Sequence, residues 1–328
     1  MAARWKPRWR YSTCATSTRP SIAAVGRDSR RVTQPKPHRL AFPALLLGNI
    51  ALAFGPWLVR LADVGPVAAG LWRLTLALPF LLVVARIAGQ PLRWPKRPLL
   101  TTVVIAAVFY ALDLASWNAG IRMTKLGNAT LFGNSGSFVF VIYGLWLVRS
   151  LPTTRQSAAL ALAIGGAALL MSSSYELSPK NLGGDLLTLV AGLLYGGYLI
   201  FIERARTQLQ PMPLLVLATL FAIPPLLIIS GVAGEQIWPH DWTPVLIFAL
   251  SSQVLGQGLL VYSIGTLPPM VVGLALLTQP AVSAVIGWVV YREGLSPVDV
   301  IGALGIAAAL VLVRLPERGL RSPAEQPS

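Results

Sequence analysis

Uncharged apolar runs long enough to cross a bilayer recur along this chain. Leu40–Val59, Leu126–Val148, Gln156–Tyr175, Thr207–Gly234 and Trp242–Tyr291 contain no Lys, Arg, Asp or Glu. A spanning helix needs about 20 mostly apolar residues. Five such runs are too many for the core helices of a soluble domain. The last is long enough for two passes, with Gly265-Thr266-Leu267-Pro268-Pro269 as its break. The pattern predicts an all-α integral membrane protein of ten transmembrane helices, near 41–60, 65–85, 99–120, 126–148, 156–174, 183–203, 212–233, 243–263, 269–291 and 296–314. The second of these carries Arg73, the third Asp113 and the sixth Asp185. The others are uncharged inside, except for Asp299 near the start of the tenth.

The two halves of this series resemble each other. Segment 137–150, SFVFVIYGLWLVRS, aligns with 280–293, PAVSAVIGWVVYRE, so that Gly144 meets Gly287 and Arg149 meets Arg292. Each is followed by one short helix rich in small residues, and FGPWL at 54–58 parallels YGGYL at 195–199. Five helices repeat in the same order. Five is odd, so the second copy enters the membrane inverted, a device by which carriers place a site between two rocking halves. The expected organisation is a tail over 1–40, repeats over 41–175 and 181–315, and a short tail over 316–328.

Composition agrees with a membrane protein and disposes of a nucleic-acid reading. The 328 residues are 55% hydrophobic and 12% charged, with mean hydropathy +0.65; soluble domains carry about twice that charged fraction. Of the net charge of +15, residues 1–39 supply +9 through ten Lys/Arg against Asp28. That tail is basic and rich in Ser and Thr, and has no apolar core for a secretory signal. A disordered cytoplasmic tail near anionic lipid, an organelle transit peptide and a misassigned start all fit it. Lys/Arg bias places the N-terminus in the cytoplasm, with 21 basic residues inside against 5 outside. Ten crossings then return the C-terminus to the same side, in the inner cell membrane. Cys14 is the only cysteine, and His38 and His240 are not at metal-ligand spacing. No metal or cofactor is expected. No phosphate-binding G-x-x-x-x-G-K-[ST] loop occurs, which argues against ATP hydrolysis.

Three stretches add a family likeness. DLASWNAGIRMTKLGNATLFGN at 113–134, GPVAAGLWRLTLALPFL at 65–81 and LTQPAVSAVIGWVVYREGLSPVDVIGALGIAAALVLV at 277–313 resemble EamA-type carriers of the drug/metabolite transporter superfamily. The likeness covers roughly residues 41–315. It implies ten helices in two inverted halves, both termini cytoplasmic, and export or exchange of small metabolites. Ser137 and Ser150 stand where the family usually has a proline and a glutamate. That departure predicts a first repeat without the kink.

The candidate site follows from polar residues inside the runs. At helical spacing, Ala106, Tyr110, Asp113, Trp117 and Gly120 form one stripe. A carboxylate between two aromatics suits a cationic group or a proton-coupled step, and a structural anchor is the competing reading. Arg73 could hold a substrate carboxylate, snorkel to an interface or pair with Asp113, the last being favoured. Asn134 and Ser137 share a face of helix four, with Thr130 one turn earlier. Gln253 and Gln257 lie at i, i+4 on helix eight, and Gln279 precedes Pro280 on helix nine. Asn49 with Trp57 on helix one, and Tyr195 with Tyr198 on helix six, complete the set. Each is singly compatible with ordinary packing; together they predict one central cavity. Gly192-x-x-x-Gly196 reads as close helix packing, Asp185 and Asp299 as helix caps, and the Asn128-Ala129-Thr130 sequon as coincidence.

These residues point to a secondary carrier working by alternating access on an amino-acid-like or amphiphilic solute, not to an enzyme. Its partners would be a small-molecule substrate, the bilayer, and a proton or counter-substrate. Monomer and homodimer both stay open. A structural or sensory membrane protein is the alternative, ahead of an intramembrane enzyme.

Overall fold

The computed structural model describes residues 40–124, 126–148, 152–172, 179–292 and 296–314. The basic tail with Cys14 and His38, the loop positions Lys125, Arg149 and Ser150, and residues 315–328 lie outside this set. Among the described residues there are helices and no strands. In chain order they are α1 (Ala41–Ala53), α2 (Gly55–Leu61), α3 (Pro66–Ile87), α4 (Arg97–Met123), α5 (Leu126–Gly133), α6 (Ser135–Val148) and α7 (Thr154–Ser172). Then follow α8 (Leu182–Arg206), α9 (Pro211–Val232), α10 (Trp242–Phe248), a π-helical stretch (Ala249–Gln257), α11 (Gly258–Ile264), α12 (Pro269–Leu276), α13 (Thr278–Tyr291) and α14 (Pro297–Arg314).

Six helical segments are long and apolar enough to cross a membrane: Ala41–Leu61, Pro66–Ile87, Arg97–Met123, Leu182–Arg206, Pro211–Val232 and Trp242–Ile264. Their outward faces carry exposed aliphatic residues such as Ile50, Val190 and Ile228. Exposed apolar area on this scale suits lipid and not water.

Local chemistry explains the starts and stops. Proline opens α3, α9, α12 and α14, where its missing N–H would have had no partner. α3 and α9 are each 22 residues long, and each has an interior proline at the same interval from the first, Pro79 and Pro224. Both end on a glycine with positive φ, Gly89 at 65° and Gly234 at 63°. In each case the next residue's N–H bonds back five positions, Gln90 to Ala85 O at 2.8 Å and Glu235 to Ser230 O at 3.1 Å, which satisfies last-turn carbonyls.

Those two next residues also exchange caps. The Gln90 side chain accepts from Met212 N (3.0 Å) at the start of α9. The Glu235 carboxylate accepts from Val67 N (3.2 Å) and Ala68 N (2.8 Å) at the start of α3. Each helix therefore ends beside the beginning of the other, and the pair packs antiparallel. α4 packs on α8, α6 on α12, and α7 on α14.

Close approach relies on glycine. A Cβ on Gly136 would lie 2.4 Å from Gly192 O, and one on Gly166 would lie 2.5 Å from Gly302 O. The Gly192-x-x-x-Gly196 face is filled by the chain's own Gly133–Val139 segment, which makes it an internal packing surface.

Two expectations need correction. The fourth predicted helix is interrupted at Asn134 even without a proline. The Asn134 side-chain amide donates to Thr130 O at 2.6 Å, and glycines flank it at 133 and 136. A side chain bonding the backbone four residues back, among poor helix formers, weakens the ladder there. The second copy breaks at Leu277, 143 residues later, the same interval that separates Ser137 from Pro280. Asp185 is not the N-cap of α8, a position held by Asn181; it accepts from Thr124 Oγ1 (2.6 Å) and so ties α8 to the end of α4. Asp299 does cap: it accepts from Ser296 N and Oγ, both at 2.8 Å, and its own N–H returns to Ser296 Oγ at 3.2 Å.

Candidate functional site

A cavity of about 100 Å³ lies between the helices, with room for a few waters or one small polar solute. Nine of the thirteen residues expected from sequence line it. The α3–α4 wall supplies Arg73, Tyr110, Asp113 and Trp117. The α5–α6 break presents Asn134 and Ser137, with Thr130 and Gly133 beside them. From the second half come Tyr195 on α8, Gln257 at the end of the π-helical stretch and Gln279 on α13.

Arg73 and Asp113 are both buried, at 6% and 8% exposure. They are the charged residues of the lining. Among the described residues they form no ion pair within 4.0 Å, so the favoured mutual pairing is not what the fold builds. Arg73 is held by other means. Its Nη2 donates to Tyr110 Oη at 2.9 Å, and its guanidinium carbon sits 5.0 Å from the Phe248 ring centroid. Face-on aromatic contact stabilises a poorly hydrated guanidinium by about 0.5–2 kcal/mol.

Behind this wall runs a relay of hydrogen bonds. Tyr110 Oη donates to Gln253 Oε1 (2.5 Å), and Gln253 Nε2 donates to Thr219 Oγ1 (2.9 Å) on α9. The Tyr110 ring stacks on Tyr198, with centroids 4.5 Å apart and planes 17° from parallel. Tyr198 Oη donates to Gln257 Oε1 at 3.2 Å, and Gln257 Nε2 donates to Tyr195 Oη at 3.5 Å. Gln253 and Gln257 are four apart on the π-helical stretch, a rare backbone form that is frequent at functional sites.

Four expected residues stand outside the lining. Gln253 and Tyr198 are fully buried in the layer behind it. Asn49 is buried and donates to Ala275 O at 2.8 Å while accepting from Gln279 at 3.5 Å, so it braces a cavity residue. Trp57 packs with Phe54 beside the small cluster of Leu58, Val59 and Phe248. Conversely, Phe248 and Ser283 line the cavity without having been expected. Ser283 lies one turn beyond Gln279, so extending the i, i+4 pattern would have reached it. Phe248 offers no signal beyond an ordinary apolar residue.

A family model describing EamA-like transporters matches residues 40–172 and again 182–315. The chain belongs to the EamA-like transporter family. Its two matched copies divide the protein where the internal likeness does, and its membrane-spanning helices are those of a multi-pass transporter. The threonine/homoserine exporter RhtA of Salmonella typhimurium (strain LT2) is 26% identical over 254 residues, 74% of this chain and 80% of that protein. RhtA of Escherichia coli (strain K12) is 26% identical over 257 residues with the same coverage. A solved crystal structure of a protein shares the fold, with a TM-score of 0.68 at 14% identity, over 84% of this chain and 96% of that one.

Proposed function

We propose that this EamA-like transporter is a secondary carrier that exports or exchanges a small amino-acid-like or amphiphilic solute across the inner cell membrane. In this reading the chain crosses the bilayer ten times, with both termini cytoplasmic. The two inverted five-helix halves rock about the central cavity. A proton or counter-substrate supplies the driving force, and Asp113 carries charge recognition or proton coupling.

One observation carries the reading: a buried polar cavity lined from both repeats, holding a carboxylate and a guanidinium that form no ion pair within 4.0 Å of each other. Ionisable groups at membrane depth are costly and mark solute or ion pathways. The threonine/homoserine exporters among its relatives support an amino-acid-like cargo.

The test compares metabolites in cells and medium after overexpression of wild type or Asp113→Asn at matched membrane levels. A compound should move only with wild type, while Asp113→Asn remains folded and inserted. Equal movement with both proteins would remove Asp113 from the mechanism.

A further inference from the structure

We infer that the cavity takes a zwitterion, with its anionic end at Arg73 and its ammonium end between Asp113 and Trp117. The inference rests on the transport reading above and adds the substrate's charge pattern and pose.

The anionic end follows from what Arg73 lacks. A guanidinium has five N–H donors in a rigid fork. One nitrogen, Nη2, is occupied by Tyr110. Nε is buried and has no hydrogen-bond partner. Tyr110 Oη passes its own proton to Gln253, and Gln253 is fixed in turn on Thr219, so the hydroxyl can only accept from Arg73. The relay therefore pins one corner of the guanidinium and leaves its other N–H groups without a protein partner among the described residues, in a residue that lines the cavity. A carboxylate is the group whose two oxygens match such an edge.

The cationic end follows from Asp113 and Trp117. They are four apart on α4, both on the lining. An ammonium placed there meets a carboxylate and an indole, the best of the aromatic partners for a cation. More than 4.0 Å separates Arg73 from Asp113, since no ion pair forms. A solute bearing both charges fits between them, and it completes two buried ions at once. A simple cation or a simple anion would leave the other ion uncompensated. Asn134 and Ser137, from the α5–α6 break, offer neutral hydrogen bonds to the solute's side chain.

The test uses the full chain purified into proteoliposomes. Probes are the common amino acids and homoserine, with two truncations of threonine: 1-amino-2-propanol, which lacks the carboxylate, and 3-hydroxybutyrate, which lacks the ammonium. Competition against the best transported zwitterion gives an affinity for each probe. Wild type should prefer the zwitterion about 10- to 100-fold over either truncation, the usual effect of one charged hydrogen-bonding partner. Arg73→Gln should erase the preference over the amine without weakening the amine's own binding. Asp113→Asn should erase the preference over the acid. Arg73→Lys, which keeps the charge but loses the fork, should restore part of the preference, and thermal unfolding of each variant checks its fold.

Equal weakening of zwitterion and amine by Arg73→Gln would overturn the pose and make Arg73 structural. A wild type that carries other solutes but no zwitterion would overturn this inference and leave the transport reading standing. No saturable flux of any metabolite above empty liposomes would take both down.

Discussion

Helices α3 and α9 are the same device made twice. Both run 22 residues from an opening proline, carry an interior proline at the same interval, end in the same glycine turn, and are capped by the residue following the other. They differ at the position seven residues after the opening proline. In α3 it is Arg73, buried on the cavity; in α9 it is Ala218, fully buried in the apolar core. The scaffold tolerates duplication because turns, caps and small-residue contacts work in either copy. The charge is present once, because a cavity between two copies needs a given ion from one side only. A second guanidinium there would add a desolvation cost with no partner to offset it. The same division runs through the lining, where the first repeat contributes both ions and the second contributes tyrosine and amides.

The sharpest way to break the comparison is to make α3 resemble α9. Arg73→Ala should lower transport by about 30-fold or more, the usual result of deleting one member of a buried charged contact. Counterflow in proteoliposomes reads this directly, and retained flux would show that the asymmetry is idle. Gln253→Leu is milder. It strips the acceptor from Tyr110 and the donor from Thr219, at about 1–3 kcal/mol of stability for the unsatisfied groups. Arg73 should lose its fixed orientation, so KM for a zwitterion should rise more than kcat falls.

The exchanged caps come next in size. Glu235→Ala and Gln90→Ala should each cost about 0.5–2 kcal/mol, with Glu235 the larger, since it receives two N–H groups on a charged acceptor and Gln90 receives one on a neutral amide. Thermal unfolding in detergent ranks them; equal losses would deny that the charge matters.

The smallest effect lies in the loop before α10. Asp63 accepts from Asp241 N (3.1 Å) and His240 N (2.8 Å), and the His240 ring lies 3.4 Å away. The backbone bond from Asp241, followed by that from His240, holds its carboxyl below the ordinary 3.8. A lowered folded-state value means the clasp is complete above about pH 4 and is lost as pH falls through that lower value. Protection of the His240 and Asp241 amides, measured against their intrinsic exchange rates, should therefore be present at pH 6 and lost in strong acid, and Asp63→Ala should lack it at both.

Much of this was legible in the chain. Runs without charge located the helices, since nothing else makes lipid tolerable to a backbone. The stripe of Tyr110, Asp113 and Trp117 was readable because one helix's own geometry places those residues together. What depended on two helices was not. Arg73 and Asp113 looked like partners because opposite charges at membrane depth invite pairing, yet the direction of Arg73 is set by Tyr110 and Phe248 on other segments. Gln253 and Tyr198 read as lining residues but stand one layer back, a distinction that periodicity cannot draw. The Asn134 break came from a side chain competing with its own backbone, not from the proline whose absence predicted a continuous helix.

The traded caps also bear on how the chain is made. When α3 first leaves the ribosome, its opening turn faces bilayer or water with the N–H groups of Val67 and Ala68 lacking the acceptor they will have in the finished protein. That acceptor, Glu235, is still to be translated, with more than half the chain's spanning segments between them. The waiting end of α9, by contrast, finds Gln90 already synthesised. A half-length product would thus complete neither cap, with Gln90 lacking the α9 turn and the α3 turn lacking Glu235, and closure of the first repeat awaits the second.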